Sequence, residues 1–149
     1  MFRTDSLIQS GPARIVSLST DAFTRNFTLG QHDGYLVFRL RTPATGENGT
    51  NPEVRLCRLD DRDPHHLLVT YENGRLSCYL DGQQVASSGQ IQGDFSNWTS
   101  HYLTLADEWR ASEDARGWRG EIHALAVYSR ALGAGEALRN AAAVRMLTQ

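Results

Sequence analysis

The stretch His65-His66-Leu67-Leu68-Val69-Thr70-Tyr71-Glu72-Asn73-Gly74-Arg75-Leu76-Ser77-Cys78-Tyr79-Leu80-Asp81-Gly82 decides the fold. Its first arm carries the strand-formers Val69, Thr70 and Tyr71. Asn73-Gly74 follows, a pair that accepts positive φ and therefore marks a two-residue hairpin turn. In the second arm Leu76, Cys78 and Leu80 alternate with Arg75, Ser77, Tyr79 and Asp81, so one face is apolar and the other polar. Asp81-Gly82 turns the chain again. A hairpin with one apolar face requires a second layer to cover it. Leu76, Leu80 and Val69, with Ile122 from a later strand, are the residues expected between the layers.

The rest of the chain supplies that layer. Residues 2–14 read as an irregular lead-in, and 15–19 as a short strand. Residues 26–31 and 35–41 form a second hairpin around His32-Asp33-Gly34, with Leu36, Phe38 and Leu40 sharing a face. A turn-rich loop at 43–52 leads to a strand at 53–59. After the central hairpin, strands are expected at 85–90, 101–106 and 118–128, with a charged loop at 107–116. Residues 134–146 have high helix propensity. Short strands at this spacing, separated by Gly and Asn turns, specify an all-β chain: a two-sheet antiparallel β-sandwich of jelly-roll type with a short C-terminal helix.

At 149 residues the chain is expected to be one domain with a substantial core. A net charge of −2 gives no electrostatic case for nucleic acid or an anionic membrane. All 15 basic residues are arginine, which excludes a Schiff-base or Walker A lysine within the chain. No apolar run approaches the ~20 residues of a membrane span, and residues 1–5 do not open a signal peptide. The two cysteines, Cys57 and Cys78, read as free thiols, with a bridge between them as the alternative.

Three blocks carry a family resemblance. His65-His66-x-x-Val69-Thr70-Tyr71-x-x-Gly74-x-Leu76-x-x-Tyr79-x-Asp81-Gly82 resembles the central hairpin of laminin-G-like domains of the concanavalin A-like lectin/glucanase superfamily. Trp118-x-Gly120-x-Ile122 followed by Tyr128-x-Arg130-Ala131-Leu132 resembles the last strand of the bacterial members. Residues 11–19 with 25–31 resemble modules of bacterial surface and membrane proteins, some of which carry a VanZ-like or cytochrome-c-like region. The resemblance implies an extracellular or cell-envelope module that binds a glycan or a protein. A domain that self-associates through its sheet edges or faces is the alternative.

The motifs of catalysis are missing. Glucanases of the superfamily use Glu-x-Asp-x-x-Glu, which places the acids on one strand face as retaining hydrolysis requires. Here the last strand offers Glu121 alone, and no Gly-x-Ser-x-Gly or His-Glu-x-x-His occurs. We therefore expect no enzyme. His65 and His66 face opposite sides of a strand and cannot chelate one metal together. The resemblance implies a possible Ca2+ ion, which wants several oxygen ligands. Two acidic clusters have that character: Asp60, Asp61 and Asp63, or Asp107, Glu108, Glu113 and Asp114. The positions where bacterial relatives carry an Asp-Glu pair are His123 and Ala124 here.

Sugars stack on exposed aromatics while polar neighbours bind their hydroxyls. The expected ligand site is built on Trp109 and Tyr79, with Asp107 and Arg110 as hydrogen-bonding neighbours and Trp98 as a further loop aromatic. Trp118 is expected in the core. Relatives also carry an apolar strand before residue 11 that pairs with the last strand. Two outcomes are open for this edge: residues 2–8 supply a short substitute, or the edge pairs with another copy or a separate polypeptide.

Overall fold

A computed structural model describes residues 1–108 and 116–147. The central hairpin is strands β6 (Leu67–Glu72) and β7 (Arg75–Leu80), paired Val69 to Cys78 and Tyr71 to Leu76. Asn73 and Gly74 take φ of 50° and 77°, the left-handed geometry that a twist-matched two-residue turn demands. Asp81 and Gly82 repeat the device at 52° and 85°, returning the chain as β8 (Gln83–Ser88). The resulting sheet runs β6-β7-β8.

The covering layer is a five-stranded sheet ordered β5-β4-β3-β2-β9. It comprises β2 (Ala13–Ser19), β3 (Arg25–His32), β4 (Tyr35–Leu40), β5 (Val54–Arg58) and β9 (Tyr102–Leu105). Ile15, Leu36, Phe38, Leu40, Val54 and Leu56 from this sheet meet Leu76, Cys78 and Ile91 in one core. A bulge between Arg14 and Val16 lets both Ile15 and Val16 join that core while Arg14 and Ser17 stay on the opposite face. Leu76 is fully buried, whereas Val69, Leu80 and Ile122 are half-buried. Val69 and Ile122 pack against the core from the flanks.

Two expectations change. The lead-in contains β1 (Phe2–Thr4), which pairs antiparallel with β10 (Gly120–Ile122). It also bridges Phe2 to His65 and so attaches β10 to the hairpin sheet. Residues 2–4 are thus the short substitute strand. The last strand, expected over 118–128, is a regular ladder only over Gly120–Ile122, paired with Phe2–Thr4. Helix α1 (Ala134–Leu147) packs its small residues Ala137 and Ala141 inward. A Cβ at Gly82 would lie 2.9 Å from the Leu138 Cα, so the close approach of helix and turn needs glycine there.

Leu76 tests the layer assignment. Leu76→Ala should lower unfolding free energy by about 2–5 kcal/mol in chemical denaturation, because the packed site cannot collapse around the lost atoms. An unchanged midpoint would mean that the facing of β7 is reversed.

Candidate functional site

The face of the five-stranded sheet turned away from the core is polar but not wet. Arg14, Ser17, Ser19, Arg25 and Thr28 are all essentially inaccessible. Residues on either side of 109–115 bond to β2: the Arg14 amide donates to the Arg116 carbonyl (2.9 Å), and the Ala106 amide to the Ile15 carbonyl (2.9 Å). The Glu108 carboxylate lies on the polar face. Its Oε2 accepts from Arg14 Nε at 2.6 Å and lies 3.4 Å from the Arg25 guanidinium. Its Oε1 accepts from the Ser17 hydroxyl at 2.9 Å and from that of Ser19. Burial alone would raise the Glu108 carboxyl, but hydrogen bonds from Ser19 and Arg14 and the charges of both arginines outweigh it and hold it below the ordinary range. Burial first, then repulsion from Arg14, pushes Arg25 down to about 10.

Of the residues expected to hold a metal, Glu108 is engaged by side chains of the polar face. The Glu108 oxygens are saturated by two arginines and two serines, an environment built for an anion and hostile to Ca2+. The Asp107 Oδ1 accepts the Glu108 amide at 2.8 Å, while Glu113 and Asp114 lie outside the described residues. Asp61 is engaged elsewhere, accepting from the Asp63 amide at 2.8 Å and lying 3.0 Å from His65 Nε2. Among the described residues no three His, Cys, Asp or Glu side chains are arranged to hold a metal. His65 is instead bracketed by two carboxylates, with Nδ1 2.8 Å from the Asp81 Oδ2.

The expected aromatic site is also altered. Tyr79 points away from the core, as the alternation required, but it is only 7% exposed. It pairs with Leu68 across the hairpin and is buried, so it offers no open stacking face. Trp98 is half-buried among Phe27 and Phe95, and its indole N–H donates to the Arg41 carbonyl at 2.8 Å. Trp109 and Arg110 lie outside the described residues, and Asp107 is exposed. Trp118 is a core residue, edge-on to Phe2, with its N–H on the Gln31 amide oxygen at 2.9 Å.

The feature that sequence reading placed only in outline is the edge beyond β10. The amides of His123 and Ala124 still donate to the Met1 carbonyl, and the Met1 ammonium donates to the Ala124 carbonyl at 2.7 Å. Beyond that point, Leu125, Ala126 and Val127 make no backbone hydrogen bond among the described residues. Leu125, Val127 and Tyr128 are 44%, 70% and 48% exposed. Beside them opens a cavity of about 220 Å³, walled by Phe2, Val16, Leu68, Ile122, Leu125 and Val144. His66 also lines it, with Nδ1 buried and without a hydrogen-bond partner. Burial and then the Met1 ammonium push its imidazole below the ordinary value.

The buried ion cluster makes a pH prediction. The Glu108 carboxyl titrates lower in the folded chain than in the unfolded one, so its stabilisation is present above the ordinary glutamate range. It is lost as pH falls through the folded value. Glu108→Gln should cost about 3–5 kcal/mol near neutral pH by leaving two buried guanidinium groups without an anion. The variant should also lose less stability with acid than wild type below about pH 4, keeping the share that other depressed carboxylates such as Asp81 contribute. Parallel pH–denaturation curves for the two proteins would overturn this.

Comparison with known proteins agrees with the geometry. No curated protein matches the chain. Among solved structures, an S-layer domain-containing protein (residues 221–444) from Clostridium thermocellum ATCC 27405 is similar, at 19% identity and a TM-score of 0.44. The match covers 93% of this chain and 65% of that one, so the chain spans just under two thirds of that structure. The family model Laminin_G_3, described as concanavalin A-like lectin/glucanases superfamily, matches residues 2–137. With two packed antiparallel sheets and the hairpin motif at their centre, the chain belongs to this laminin-G-like family.

Proposed function

We propose that the chain is a non-catalytic recognition module of a bacterial surface or envelope protein, and that it recognises polypeptide through the edge beyond β10. The observation that supports this reading is the run 125–127, whose backbone makes no hydrogen bond among the described residues, while Leu125, Val127 and Tyr128 are exposed beside an apolar cavity. Natural edges are usually blunted by charge, proline or a bulge; the run Ala124-Leu125-Ala126-Val127-Tyr128 has neither charge nor proline. An added strand would supply the missing hydrogen bonds and fill the cavity with alternate side chains. A second copy of the chain is the occupant, because the same run on two copies pairs antiparallel about a two-fold axis.

Glycan recognition is less favoured. Tyr79 and Trp98 are committed to packing, so neither presents an open ring face. The non-catalytic reading draws on Glu121, which is spent on a surface pair with Arg3 at 2.7 Å. Extracellular or envelope location, with a VanZ-like or cytochrome-c-like region elsewhere in the same protein, is the setting in which we place the module. Residues 1–149 then form one laminin-G-like unit of it.

Native mass spectrometry and light scattering over a concentration series test the proposal. Wild type should populate dimer as concentration rises. Val127→Lys should remain monomeric at an unchanged thermal midpoint, since the side chain it replaces is mostly exposed. Wild type that stays monomeric throughout would defeat the edge reading. Binding on a glycan array, lost in Trp109→Ala, would replace it with the sugar site.

A further inference from the structure

Cys57 and Cys78 are the chain's two cysteines, and both are free thiols. They come from different layers: Cys57 from β5 in the five-stranded sheet, Cys78 from β7 in the hairpin sheet. Both belong to the same packed interior, Cys78 fully buried and Cys57 half-buried at its margin. Their side chains interact across the layers. Here the sheets converge, with β5 and β8 coming within 8 Å, and Cys78 pairs directly with Ala86 on β8. Face-to-face sheets normally sit about 10 Å apart, too far for a disulfide. The contact between β5 and β8 brings the layers closer than that at this margin.

We infer that Cys57 and Cys78 form an oxidative cross-linking site, which staples the two sheets of the sandwich together when the chain meets a small-molecule disulfide. The environments assign the order of events. The hydrogen bond with Cys78 pulls the Cys57 thiol below its ordinary value, against burial and with help from the charge of His65. The same hydrogen bond and burial push the Cys78 thiol up. Cys57 is also the thiol that solvent reaches. Its thiolate attacks one sulfur of glutathione disulfide, forming a mixed disulfide and releasing one glutathione. Cys78 then gives its proton to solvent and attacks the Cys57 sulfur, releasing the second glutathione. The protein loses two electrons and two protons, and glutathione disulfide becomes two glutathione thiols. The second step is the slow one, because its nucleophile is buried and protonated.

The test is oxidised glutathione added to the folded protein, followed by intact mass and thiol titration. Wild type should lose two hydrogens and both titratable thiols, and its thermal midpoint should rise and then return on reduction. Cys78→Ser should stop at a glutathione adduct on Cys57, and Cys57→Ser should stay unmodified. Wild type that keeps two thiols, or that stops at the adduct, overturns the proposal. So does an adduct on Cys78 in Cys57→Ser. The wild-type mass and peptide map alone decide the matter if either serine variant fails to fold.

Discussion

The arrangement of the N-terminal lead-in depends on one buried amide. Gln31 is inaccessible, and its carboxamide is saturated. The oxygen accepts from the Thr4 hydroxyl and the Trp118 indole at 2.9 Å each and from Gln9 at 3.3 Å; the nitrogen donates to the Ser6 and Leu7 carbonyls at 2.8 Å each. Gln9 adds a reciprocal pair with the Arg119 backbone. A buried amide left unmade costs its full desolvation, so each partner is held in place by the others. The network fixes residues 4–9 against β3 and the chain at 118–119. That sets β1 beside β10 and leaves the segment after Ile122 as the continuation of that ladder.

The second constraint is electrostatic and lies on the opposite face. Two arginines and one glutamate are taken out of water together, and the cost of burial is offset only because every Glu108 oxygen is met. The balance is incomplete: Arg14 Nη2 and Arg25 Nε have no hydrogen-bond partner among the described residues. The cluster therefore contributes specificity more than stability. It anchors the chain around Glu108 to β2 in one register, since any slip would leave Glu108 without its cations. A cation site could not perform that role at this place, because Arg14 and Arg25 would repel the ion.

The hairpin, the second hairpin and the helix were legible because local rules govern them. Asn73-Gly74 and Asp81-Gly82 announce their turns, and Leu36, Phe38, Leu40, Leu76 and Cys78 keep a two-residue period. What escaped is set by distance. Ser17, Ser19, Thr28 and Arg25 alternate like a solvated face, and nothing local says that Glu108, about ninety residues on, will cover them. Tyr79 misled for the same reason, since alternation gives its direction but not what packs there. The last strand was read too long because Ile122, Ala124, Ala126 and Tyr128 retain strand period after their partner ends. Periodicity reports what a segment can pair with, not whether it does.

That last mismatch carries the functional argument furthest. Another end strand, β9, also exposes Tyr102, Leu103 and Leu105, at 55%, 50% and 48%. Yet β9 is a regular strand laddered to β2 through four residue pairs, and its opposite side is an ordinary sheet margin. The run 124–128 differs in lying over a cavity that reaches Val16 of one sheet and Leu68 of the other. An incoming strand there would gain twice: backbone hydrogen bonds along the edge, and apolar burial between the layers. Contiguous exposed apolar surface beside a cavity is costly to maintain in a monomer. On this reading the ladder that β1 begins over three residue pairs is completed by a second chain.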